Sequence, residues 1–346
     1  MTRKRVAVCG GALLLMSWRM FGAIAAPLLP HDLYVCAALE QDFFIGSHTE
    51  GRSGILHSTD RVGLEHVGFN HPRIEALATD PRDPSILFAA AANGLLRTKN
   101  HGLTWRIMTG WDMTELKSVA IDPHAPANIY VALPDGIGIS RDSGLTWSRG
   151  QEGIRRSYTQ TLIVDQMHAG RLVAGTELGI YLSEDDARSW TLVQSADATV
   201  NDVKQSPHDP DVFFAVTQSN GAWRSDDGAR TWRQVAGIST AHTLHFGEFD
   251  ATDSRRMVVC GWNCGVLVSE DAGTTWQPRN AGLPNANIWC IGSDPDFSGR
   301  LFASPHQSAV YVSDDFGRTW RKGWFESARV RRFVFVRHLT TEGKSR

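Results

Sequence analysis

The sequence predicts an all-β ring, a seven-bladed β-propeller of four-stranded antiparallel blades. Three observations predict it. An octet of the form S-x-D-x-G-x-T-W recurs at a nearly constant period. Each period contains four short apolar runs separated by turn residues. Glycine and tryptophan are abundant, 32 and 12 of 346 residues, as expected of many tight turns with an aromatic anchor in most repeats.

The octet copies are TKNHGLTW (98–105), SRDSGLTW (140–147), SEDDARSW (183–190), SDDGARTW (225–232), SEDAGTTW (269–276) and SDDFGRTW (313–320). Their starts lie 42, 43, 42, 44 and 44 residues apart. Forty residues before Thr98, Ser58-Thr59-Asp60 keeps the Ser and Asp alone and counts as a worn seventh copy. Asp142, Asp185, Asp227, Asp271 and Asp315 are expected to accept hydrogen bonds from backbone N–H groups of their own turns. The glycine supplies the positive φ of the bend. The tryptophan packs back over the turn as the next strand opens. Ala187 and Ala229 stand where glycine is expected, so those two turns should be slightly distorted, with Gly228 taking one bend a place early.

This octet resembles the Asp-box, or BNR repeat, of sialidases, xyloglucanase-type glycosidases, sortilin-type receptor domains and photosystem II assembly factors with their relatives. The resemblance spans residues 58 to 320. It implies the propeller fold, and no single activity, because those families share the repeat and not a reaction.

Residues 116 to 150 show one unit: strands in LKSVAID, IYVAL and IGIS, the octet turn, then a last strand opened by TWSRG. One such sheet cannot bury both faces alone, and radial stacking against its fellows solves that. First turns also repeat: Asp80-Pro81, Asp122-Pro123, Pro207 with Pro210, and Asp294-Pro295. They fall at the same end of the strands as the octets, which marks that face as structural. The propeller should span residues 31–338. The run Val330–Val336 should pair with the first blade as a latch, and 339–346 should be a flexible basic tail. The basic cluster Arg329, Arg331, Arg332 and Arg337 reads as a solvated edge or frayed terminus.

The formal net charge of −2 argues against nucleic-acid or membrane-surface partners. Residues 1–26 read as an export segment: Arg3, Lys4 and Arg5, an apolar run over 6–16, and Ala23-Ile24-Ala25. That places the protein in a periplasm or outside the cell; a start at Met16 or Met20 would leave it cytoplasmic. Without Cys9, four cysteines remain. Cys260 and Cys264 could bridge a hairpin after export, but unpaired core thiols are the expectation.

Ligand binding is expected on the face opposite the octets, where the second-to-third-strand turns and the blade links gather. The residues singled out are Trp111, Arg155, Arg156, Tyr158, Trp262, Asn263 and His306. Together they suit a protein segment or an oligosaccharide. His48 and His306 occupy equivalent positions, but no third ligand beyond Glu50 suggests a metal, and no cofactor is called for. Glycoside hydrolysis needs two carboxylates, for which Asp135 and Glu177 are the candidates. The string Pro72-Arg73-Ile74-Glu75 lacks the R-I-P motif of sialidases. No phosphate-binding loop or nucleophile elbow is present. The chain as a whole most resembles the photosystem II assembly-factor group. That implies a monomeric, non-enzymatic factor that holds a protein segment, with a glycosidase as the alternative.

Overall fold

The structure, a computed structural model, describes residues 29–39, 53–71, 73–150, 152–155 and 158–338. Its strands form seven four-stranded antiparallel sheets. The innermost strands of blades 2 to 7 are Ile74–Asp80, Ser118–Ile121, Thr159–Val164, Val200–Gln205, Thr243–Phe249 and Ile288–Ser293. Blade 1 takes its innermost strand from the far end of the chain. Ala328–Arg337 pairs with His31–Leu39, with His31 opposite Arg337 and Leu39 opposite Ala328. The expected latch is therefore the closing strand of the ring.

The sheets are held by what lies between them. Seven apolar clusters fill the seven gaps, one per pair of adjacent blades. Phe214 and Val216 of blade 5, for instance, meet Leu244 and Val259 of blade 6. Each blade lends one face to each neighbour, so its hydrophobic burial depends on both. The seam between blades 7 and 1 adds a buried ion cluster. Arg61 Nε lies 2.9 Å from Asp294 Oδ2, and its Nη2 lies 3.0 Å from Asp296 Oδ2. His31 Nδ1 completes it, 2.6 Å from Asp296 Oδ1.

The octets behave as their composition demands. In blade 3, Ser140 Oγ donates to Asp142 Oδ1 at 2.8 Å, the Thr146 N–H donates to the same oxygen at 2.8 Å, and Thr146 Oγ1 donates to Oδ2 at 2.6 Å. These bonds to Thr146 are the main reason the Asp142 carboxyl is held down at about 2. The worn copy keeps the device: Asp60 Oδ1 accepts from the Val62 and Gly63 N–H groups. In blade 2, Asn100 Oδ1 substitutes for the carboxylate and accepts from Thr98 Oγ1 and the Thr104 N–H.

One expectation is corrected. The turns at Ala187 and Ala229 keep the full bond pattern, with both N–H groups 3.0 Å from the octet serine. The alanines simply occupy the left-handed region, at φ 64° and 66°, where Gly144 and Gly273 sit at 87° and 86°. The side-chain hydrogen bonds decide the turn's shape, and alanine bears the conformational cost. Cys36, Cys260, Cys264 and Cys290 are buried free thiols, and burial pushes Cys36 and Cys290 up to about 12.

Candidate binding funnel

The innermost strands surround a channel with two chambers. One, of about 350 Å³, opens opposite the Asp-boxes; the other, of about 450 Å³, opens among them. A band of buried charge divides them: Lys204 Nζ lies 2.6 Å from Glu248 Oε1, and Arg332 Nη1 lies 3.2 Å from Asp202 Oδ1. Burial opposes the Lys204 ammonium, but Glu248 and Asp202 outweigh it and hold its pKa above the ordinary value.

The chamber opposite the Asp-boxes is a funnel built by a repeated backbone irregularity. Six innermost strands carry a one-residue β-bulge near their start, at Glu75, Gln160, Asn201, His245, Trp289 and Arg331. A bulge re-aims a side chain that regular pleating would send elsewhere. All six line the funnel, and Lys117, just ahead of the blade 3 strand, supplies the seventh place. The result is a ring of one polar or aromatic side chain per blade. Tyr158, Thr199 and Thr243 line it two positions nearer the mouth.

The wall divides into two sectors. On blades 6 and 7, Trp289 packs edge to face against His245 and Trp262, with centroids 5.2 and 5.1 Å apart. Trp289 Nε1 donates to His306 Nδ1 at 3.0 Å. The Arg329 guanidinium lies 3.6 Å above the Trp289 ring. Burial, then Arg329 and Arg331, depress His245 to about 4, so it is neutral at pH 7. Toward blades 2 to 4 the wall is charged. Arg331 lies 3.4 Å from Glu75, Arg73 bridges Glu75 and Glu115, and Lys117 lies 5.8 Å from the Tyr158 ring. The mouth thus carries Arg73, Lys117, Arg329 and Arg331 against Glu75 and Glu115. Arg329 has no carboxylate partner among the described residues; burial and then Arg331 lower it to about 10.

Of the residues singled out from the sequence, Trp262 and His306 belong to the aromatic cluster and Tyr158 lines the funnel. Asn263 is exposed on the blade 6 turn, where its N–H donates to Asn287. Arg155 is exposed on the link to blade 4, and Trp111, 95% exposed, projects from the link to blade 3. Arg156, His48 and Glu50 lie outside the described residues. Asp135 is exposed and doubly bonded by Arg149; Glu177 is half-buried on the next blade's turn. Reasoning from loops missed His245, Trp289, Lys117 and Arg329, which lie on or beside innermost strands. It also misplaced Arg329, Arg331 and Arg332. They are no frayed edge: their strand is the innermost of blade 1, so its inward side chains face the channel.

Fold and repeat define the class: the chain is a seven-bladed propeller of Asp-box repeats. The BNR/Asp-box repeat model matches residues 311–322. A xyloglucanase of Paenibacillus sp. is 28% identical over 286 residues, 72% of this chain and 25% of the enzyme. The chain therefore spans about a quarter of that relative's length. Among solved structures, the Niastella koreensis GH74 enzyme aligns with TM-score 0.58 at 17% identity, over 74% of this chain and 46% of the enzyme. YCF48 bound to a D1 peptide aligns with TM-score 0.57 at 18% identity, over 72% of this chain and 82% of YCF48. At such identities the structural likenesses concern the fold. No helix among the described residues is long and apolar enough to cross a membrane.

Proposed function

We propose that this chain is a non-catalytic binding propeller that holds an acidic protein segment in the funnel opposite the Asp-boxes. One observation carries the reading. Trp262 Nε1, Arg329 Nε and Arg331 Nε are buried donors, and His245 Nε2 a buried ring nitrogen, without hydrogen-bond partners on blades 6 and 1, either side of Trp289. Unmet buried donors cost about 1–3 kcal/mol each, more when charged, and a ligand rich in acceptors removes that cost. Two adjacent arginines ask for anionic acceptors, and the tryptophan faces suit apolar or ring-bearing side chains between them. A propeller of this fold has been solved with a bound D1 peptide, so the fold can hold such a ligand.

The test is titration with a penta-glutamate peptide, a penta-lysine peptide and cellopentaose, read by tryptophan fluorescence. The acidic peptide should bind, more weakly as salt rises. Arg329→Ala with Arg331→Ala should weaken it at least tenfold while changing the unfolding free energy in urea by no more than about 1 kcal/mol, because the repulsion relieved offsets the lost Arg331–Glu75 pair and Arg329–Trp289 contact. No preference for the acidic peptide would overturn the reading. A glycoside hydrolase is the second reading, favoured by the xyloglucanase likeness and by two carboxylates, Asp135 and Glu177, on turns of the funnel face. It requires xyloglucan hydrolysis that disappears on Asp135→Asn or Glu177→Gln.

A further inference from the structure

The chamber on the Asp-box side is chemically unlike the funnel. Its walls are apolar, with Leu77, Val119, Leu162, Ile163, Phe249 and Phe333 among the lining. Its floor is the charged band, whose two cations and two carboxylates balance. Two polar atoms there have no hydrogen-bond partner. Asp202 Oδ2, on blade 5, is an acceptor on a residue only 2% exposed, and Ser293 Oγ, at the end of the blade 7 strand, is a second buried polar atom of the lining. Lys204 Nζ lies 3.9 Å from Asp202 Oδ2, beyond hydrogen-bond range, and has donors to spare after serving Glu248.

We infer that this chamber is a binding site for a small uncharged amphiphile, an apolar body bearing a carboxamide or hydroxyl head. The head donates to Asp202 Oδ2 and accepts from Lys204, while the body fills the apolar wall. Charge selects against ions. An ammonium on Asp202 Oδ2 would crowd the Lys204 ammonium. A carboxylate reaching for Lys204 would meet Asp202 and Glu248. Either would leave an unbalanced charge in a half-buried chamber. A chamber of about 450 Å³ is within the range of small-molecule sites.

The experiment compares three heads on one ring, benzamide, benzylammonium and benzoate, by ligand-observed NMR titration of the full chain. Benzamide should bind at least tenfold more tightly than either ion. Ala251→Trp, at an exposed position of the chamber lining, should abolish that binding without disturbing the core. Asp202→Asn removes the charge that balances Arg332 and should invert the order, making benzoate the tightest. Equal affinity for the three heads overturns the inference. So does benzamide binding that survives Ala251→Trp, and so does failure of every probe, which would leave water as the chamber's occupant.

Discussion

The two ends of the channel are lined by the same seven strands, yet they treat charge in opposite ways. At the Asp-box end, Arg61 is buried between Asp294 and Asp296, which meet its Nε and Nη2 while Nη1 goes unmet, and the octet carboxylates are saturated by their own turns. At the funnel end, Arg329 and Arg331 lie side by side and their Nε atoms go unmet. Paired charge at one end holds the ring together. At the other, Arg329 has no carboxylate partner among the described residues, and the wall beside it stays cationic. A propeller needs only the first of these to fold, so the second is the better guide to what the molecule does.

The contrast predicts a hierarchy of effects. The largest is at the blade 7–blade 1 seam. Arg61→Ala leaves two buried carboxylates facing each other and should cost about 3–5 kcal/mol of stability in urea denaturation. A loss under about 1 kcal/mol would show that the seam rests on its apolar cluster alone. Acid comes next. Asp142 and Asp271 are held at about 2, chiefly by their bonds to Thr146 and Thr275. An unfolded aspartate titrates near 3.9, so this stabilisation is complete above about pH 4 and fades as pH falls toward 2. Asp142→Asn copies the arrangement that blade 2 already has at Asn100, and should flatten that part of the acid loss in urea midpoints measured from pH 5 to pH 2. An unchanged slope would mean that the octet carboxylates do not titrate with folding. The smallest effect is at Ala187, where glycine removes the left-handed strain but also a buried methyl group. Ala187→Gly should change stability by no more than about 1 kcal/mol, in the stabilising direction.

The fold was legible because its code is local. The eight residues of one octet contain the serine, the carboxylate, the bend and the tryptophan, and repetition multiplied the signal. Even the worn copy at Asp60 could be read, since the carboxylate alone keeps the turn. The funnel was only partly legible. Trp262 ends a strand at a turn and His306 sits on one, where recognition residues are ordinarily sought. His245, Trp289 and Arg331 sit at bulges within strands, where one extra residue breaks the alternation on which inside and outside are judged. Their signal in the sequence is a recurring polar or aromatic residue two or three places into an otherwise apolar first strand. Arg329 and Arg331 were harder still, because their position depends on a partner strand about 290 residues away by the pairing of Ala38 with Arg329.

The closing strand has a consequence for how the molecule is made. On the ribosome, the segment 328–337 emerges after every other blade has been synthesised, and until then the first sheet lacks its axial member. That same segment delivers Arg329 and Arg331. A chain that stops short of this segment therefore cannot display the cationic wall.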